Sequence, residues 1–344
     1  MSKKYNYLIC FLLLVLFTLS QCKCGSKKPD APKVDFSKTD VSFFRFDQEF
    51  QQTDTTNTKA QMLALQKKYG SFYDIYVHEI MRFGEARDYS DNIYYNMNQF
   101  FIFKDMVLLH KMVQKKFPNT EENNEEIRKA FTYCKYYLPN MKLPNKVAYC
   151  MSGLNVGAFT VDTEYVGIGL DMYMNNDTFY NQLFDNYIVA KLRKEMMCQN
   201  VLKAVYNNQY NDPYNTNGNL IDNIINVGKQ QYFLSKVLPH IEPAYQFGYS
   251  DAQLNWCNDN EKQIWKHLAD KDLFYTESDA EIRHFIGEQP NTVGMPIESP
   301  GNIGAWIGYR IVSAYMEQLN NKPTLDQLIL TDPKTILAKS KYKP

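Results

Sequence analysis

The chain has 344 residues, and its 38 Lys+Arg balance 38 Asp+Glu to a formal net charge of zero. That balance offers no basic face for a polyanion and argues against a nucleic-acid partner. Seven cysteines scattered without a Cys-x-x-Cys pair argue against a structural zinc knot and a disulfide-built scaffold.

In chain order, Lys3 and Lys4 precede an apolar run over 8–19 that is short for a membrane span but of the length an export signal uses. Leu19-Ser20-Gln21-Cys22 follows and resembles the bacterial lipobox, although Gln21 departs from the usual small residue. The expectation is a signal peptide over 1–21, cleavage before Cys22, and attachment there of diacylglycerol and palmitate-like acyl chains, enough for stable anchoring. Residues 22–33, rich in Lys, Gly, Ser and Pro, read as a lipidated tether, and 34–344 as a single domain with no internal linker. Cys10 leaves with the signal; Cys134, Cys150, Cys198 and Cys257 are expected to be mostly buried free thiols, with room for one disulfide among them and Cys24.

Apolar residues recur at helical spacing over 61–69, 72–82, 96–116 and 121–138. Three short β-rich runs over 146–151, 158–162 and 165–170, separated by glycine and polar turns, predict an antiparallel meander. Helical spacing returns over 184–205, 220–238, 251–268, 280–286, 304–319 and 333–339. The fold class is therefore α+β, a mainly helical domain with a small antiparallel sheet in its middle.

Val77-His78-Glu79-Ile80-Met81-Arg82 approaches a zinc-binding His-Glu-x-x-His, but Arg82 stands where the second ligand belongs, so His78 reads as structural. None of the five histidines pairs with another at i+3 or i+4. No Gly-x-Ser-x-Gly elbow and no phosphate loop is present; Gly167 and Gly169 read as close packing in a strand, and Gly301 to Gly304 as a turn capping a helix. Carboxylate neighbours such as Glu164 and Asp171, or Asp259 and Glu261, read as surface or capping groups, and the aromatic runs over 92–103 and 131–137 as core before glycan platform. The residues thus name no catalytic group, no metal ligand and no cofactor.

Several segments together resemble the gliding motility lipoprotein GldB family of the Bacteroidetes. They are Val41-Ser-Phe-Phe-Arg-Phe-Asp-Gln-Glu-Phe50, Leu65-Gln-Lys-Lys-Tyr-Gly-Ser-Phe-Tyr73, Gly169-Leu-Asp-Met-Tyr-Met174, Ile224-Ile-Asn-Val-Gly-Lys-Gln-Gln-Tyr232, Asn260-Glu-Lys-Gln-Ile-Trp265, Ser299-Pro-Gly-Asn-Ile-Gly-Ala-Trp-Ile-Gly-Tyr309 and Lys339-Ser-Lys-Tyr-Lys-Pro344. The resemblance implies a cell-envelope lipoprotein linked to gliding motility and the associated type IX secretion apparatus. More remotely, the family resembles zincin-type peptidases, and Lys194-Glu-Met-Met-Cys198 keeps a glutamate where that motif stands but neither histidine. On that likeness the chain is a degenerate, non-catalytic peptidase scaffold.

The expected function is non-enzymatic: a lipoprotein anchored by Cys22 to the inner or outer membrane, facing the periplasm and binding envelope proteins. One alternative is an envelope metallo-hydrolase whose metal is gathered from Glu195, His240, His267 and His284 by tertiary folding. Another is a surface glycan or peptide binder, which the missing acidic run after Cys22 disfavours.

Overall fold

The computed structural model describes residues 31–51, 55–85, 90–210, 212–216 and 218–344. The signal segment, Cys10, Cys22, Cys24 and the tether up to residue 30 lie outside the described residues. Val34–Pro344 packs as one unit.

The first strand, β1 (Ser42–Phe44), leads into α1 (Phe46–Gln51), α2 (Thr58–Tyr69) and α3 (Ser71–Ile75), which runs on into a π-turn, Tyr76–Ile80. Next come α4 (Asp91–Ile102), α5 (Lys104–Lys116) and α6 (Glu121–Tyr137), then β2 (Lys146–Cys150), β3 (Ala158–Val161) and β4 (Tyr165–Gly169). A short α7 (Asp177–Tyr180) follows, and the stretch predicted as one helix over 184–205 is instead α8 (Asn186–Val189), a 3-10 turn Lys194–Met196 and the greater part of α9 (Met197–Tyr210). The break lies at Arg193, whose backbone is extended. The C-terminal part is α10 (Leu220–Val237), α11 (Pro243–Phe247), α12 (Asp251–Asp259), α13 (Glu261–Asp270), α14 (Asp279–Ile286), α15 (Ile303–Gln318), α16 (Leu325–Leu330) and α17 (Pro333–Ser340).

Two more predicted helices are divided. The 96–116 pattern breaks at Phe103, which is extended at φ −67°, ψ 121°. The 251–268 pattern breaks at Asn260, whose Nδ2 donates 2.8 Å to the Trp256 carbonyl. The Trp256 carbonyl accepts both this side chain and the Asn260 amide, at 3.0 Å, while the Asn260 backbone leaves the helical region at φ −111°, ψ 15°.

The α+β class holds, but the sheet is mixed, a correction to the expected meander. Its order is β1-β2-β4-β3, with β1 parallel to β2, β2 parallel to β4, and only β3 antiparallel to β4. Residues 151–157 carry the chain across β4, so β3 pairs on the far edge and leaves one side of β2 open to β1. All five residues of β4 are buried and β2 is buried from Val147 on, the continuous apolar run of central strands covered on both faces. As the sequence suggested, Gly167 and Gly169 are close-packing positions: a Cβ would lie 2.2 Å from the Phe159 ring at the first and 2.3 Å from the Val156 carbonyl oxygen at the second.

Against one face of the sheet packs an aromatic core in which Phe46 meets Phe50, Tyr69, Phe72 and Tyr76 with ring centroids 4.8 to 5.4 Å apart. Helix α9 covers β3 and β4. Beyond it α10 packs on α15, where Gly228 faces Gly308 so closely that a Cβ on Gly308 would stand 2.0 Å from the Ile224 carbonyl oxygen. Cys134, Cys150, Cys198 and Cys257 are free and buried.

Candidate functional site

A cavity of about 620 Å³ opens where α6, the 3-10 turn and the end of α10 meet. Helix α6 supplies Glu122, Glu126, Lys129, Ala130 and Tyr133, whose spacing puts them on one helical face. Lys194 and Glu195 come from the turn, Leu238 to Glu242 from the loop after α10, Tyr245 from α11 and Phe36 from the start of the fold. Phe36 stacks edge-on against Tyr133 at 5.6 Å, so the cavity has an aromatic floor and a charged rim. A second cavity of about 1070 Å³ shares Glu242 and Tyr245 and continues past Tyr187, Tyr249, Trp256 and Ile297, with Lys191 and Arg193 on its wall.

The rim is held by a local network. Asn175, in the left-handed region at φ 52°, accepts from the Lys194 amide at 2.6 Å and donates 3.2 Å to Glu195. The Lys194 ammonium pairs with Glu122. That hydrogen bond and the ammonium's charge hold Glu122 below its ordinary pKa. One turn on, Glu126 has no hydrogen-bond or ion-pair partner among the described residues. It is exposed at the cavity mouth, and partial desolvation by the neighbouring walls, reinforced by Glu122, pushes its pKa up while Lys194 pulls it back. Glu122 is thus neutralised by its surface partner, whereas Glu126 is left as an unpaired carboxylate on the rim.

The structure unites only part of the alternative metal set. Glu195 and His240 line the same cavity, whereas His267 packs on Phe285 and His284 lies beside Glu281. Among the described residues no group of three or more His, Cys, Asp or Glu is arranged to hold a metal. Lys194-Glu-Met-Met-Cys198 does not lie on one α-helix, since Glu195 is exposed on the 3-10 turn and Cys198 is buried in the first turn of α9. His78 sits on the π-turn with Nδ1 3.4 Å from the Gly84 carbonyl, a weak contact.

The other acidic candidates are structural. Asp171 is fully buried and accepts from the Ser152 and Leu154 amides at 2.8 and 2.5 Å, pinning a loop whose Gly153 and Leu154 have φ of 66° and 62°. Burial raises its pKa while those amides lower it. Glu261 accepts from Arg310 and Tyr342, and Glu164 from Lys146. Sequence reading missed Glu122, Glu126, Glu242 and Tyr245; the i, i+4 glutamates on α6 were a visible signal, but nothing local marked the loop that faces them.

The family model described as gliding motility protein GldB matches residues 27–344. The chain belongs to this family. It is accordingly a gliding-motility-associated protein, and the model's designation, GldB_lipo, is that of a lipoprotein. No curated protein and no solved structure matches the chain, so a likeness to zincin peptidases is not shown. Among the described residues of this GldB family member, no helix is long and apolar enough to cross a membrane.

Proposed function

We propose that this GldB family member is a bacterial lipoprotein held through Cys22 on an envelope membrane, facing the periplasm, after loss of residues 1–21. Its domain, residues 34–344, acts without catalysis by holding a segment of an envelope protein of the motility or type IX secretion machinery. The observation that carries this reading is the paired cleft: two cavities of about 620 and 1070 Å³ share Glu242 and Tyr245 and continue one another. Aromatic walls and a rim on which Glu122, Glu126, Glu195 and Glu242 outnumber Lys129 and Lys194 suit an extended peptide bearing a basic residue, the apolar side chains entering and the cation meeting Glu126, Glu195 and Glu242.

The test places a photo-crosslinking amino acid at Tyr245 of the full chain in its own cells, with a second at exposed Lys262 as control. A discrete adduct with one envelope protein, formed from position 245 only and lost in Glu126→Lys/Glu195→Lys, is expected. Adducts that ignore the charge reversal would overturn the binding role of the cleft. Cys22→Ala separately tests the anchor, and a chain that stays in the membrane fraction after signal cleavage would refute lipid attachment at that residue.

A further inference from the structure

The elbow between α4 and α5 carries a surface that neither the core nor the cleft uses. Among the described residues, four of the twelve large exposed hydrophobic side chains fall within 95–108: Tyr95, Ile102, Phe103 and Leu108, each more than half exposed. Isolated apolar side chains are ordinary on a protein surface, but a cluster is not. Along α4 the outward positions Asn92, Tyr95, Gln99 and Ile102 recur at i, i+3, i+7 and i+10 without a charge. Phe103 stands extended at the corner, pushing its ring outward rather than continuing either helix. On α5 the exposed positions are Lys104, Asp105, Leu108, Lys111, Lys115 and Lys116, so that four lysines face out against that helix's one acidic residue, Asp105.

We propose that this elbow rests on the bilayer, with Ile102, Phe103 and Tyr95 entering the interfacial region and the lysines of α5 facing anionic headgroups. An uncharged aromatic and aliphatic tip beside a row of lysines is the composition of an interfacial anchor, since the rings fill the acyl boundary and the ammonium groups reach back to phosphate. The inference rests on the lipid at Cys22 proposed above. The tether over 22–33 has a reach of about 40 Å when fully stretched, which keeps the domain close to the membrane at high effective concentration. A second weak contact is then enough to fix its orientation, and with it the direction in which the cleft faces.

The test uses the full lipidated chain in a Cys24→Ser background, carrying bimane on Gln99→Cys or, as control, on Lys262→Cys. It is reconstituted in phosphatidylcholine vesicles with and without phosphatidylglycerol. Expected is a blue-shifted emission from position 99 and at least twofold quenching by nitroxide-bearing lipid, absent at 262, weakened by salt and abolished in Ile102→Asp/Phe103→Asp. A vesicle-bound chain whose two probes behave alike would overturn the proposal. So would a blue shift at position 99 without vesicles, which would mean a second protein copy covers the elbow. If mass analysis finds Cys22 unacylated, the anchor reading fails by itself, and the same quenching on chain mixed with vesicles still decides the elbow: quenching removed by the double variant supports it, none overturns it.

Discussion

The two halves of the domain are packed by different means. On the sheet side, Phe46, Phe50, Phe72 and Tyr76 fill space with rings, and stability there scales with apolar volume. On the far side, α10 and α15 approach until Gly228 and Gly308 touch backbone to backbone. Among the apolar side chains of this side lie buried, directed polar groups: Gln199 donates 2.7 Å to the Gln246 carbonyl, Gln246 donates 3.0 Å to the Gln231 carbonyl, and Lys229 donates 2.6 Å to the Thr331 carbonyl. The first half tolerates changes of ring shape at modest cost. The second is fixed by close approach and hydrogen-bond direction, so it tolerates almost no added atom.

The difference yields graded expectations. Phe46→Ala, at a fully buried ring touched by four others, should cost about 4 kcal/mol, read as a fall in the urea unfolding midpoint. Gly308→Ala adds one methyl group and should still cost about 3 kcal/mol, because backbone rather than a movable side chain meets it. Equal tolerance of Gly308→Ala and a surface alanine would dissolve the contrast. Gly70→Ala supplies the calibration: its φ of 54° and ψ of −127° lie outside the left-handed helical well but nothing lies within 4 Å, so about 2 kcal/mol of conformational strain is expected and no steric loss.

The halves should also differ in pH response. Burial lowers Lys203 from 10.5 to about 8, so at neutral pH the folded chain carries a poorly solvated ammonium. Between pH 8 and 10.5 the unfolded chain holds that proton more tightly, and this group's contribution to stability rises with pH. Lys203→Met should therefore be more stable than the parent at pH 7 and lose that advantage as pH approaches 10. In the aromatic half, burial raises Tyr76 well above 10, so its contribution falls as pH climbs past 10. Urea midpoints of parent and Lys203→Met at pH 7, 8.5 and 9.5 check the first sign; a constant gap would place Lys203 in ordinary solvent.

Much of the helical framework was legible because each helix presents an apolar face to a core. Leu220–Val237 and Glu121–Tyr137 were read to within one residue at each end. The cysteines' burial and the strand glycines followed from composition and spacing. The breaks at Phe103 and Asn260 are not legible: apolar spacing continues through both, and each is made where one residue's backbone leaves the helical region. Strand β1 is three residues long, too short to show a period.

By itself the sequence determined the longer helices and strands β2 to β4, which faces are apolar, and, through its matches over 27–344, the family. Those properties are carried by residues within a few positions of one another or by direct likeness. Only the tertiary structure decided that β1 lies beside β2, that the sheet is mixed, and that Glu126, Glu195, His240 and Tyr245 share one cleft. Pairings across a hundred residues depend on which faces cover one another, and apolar periodicity names the face but not its partner.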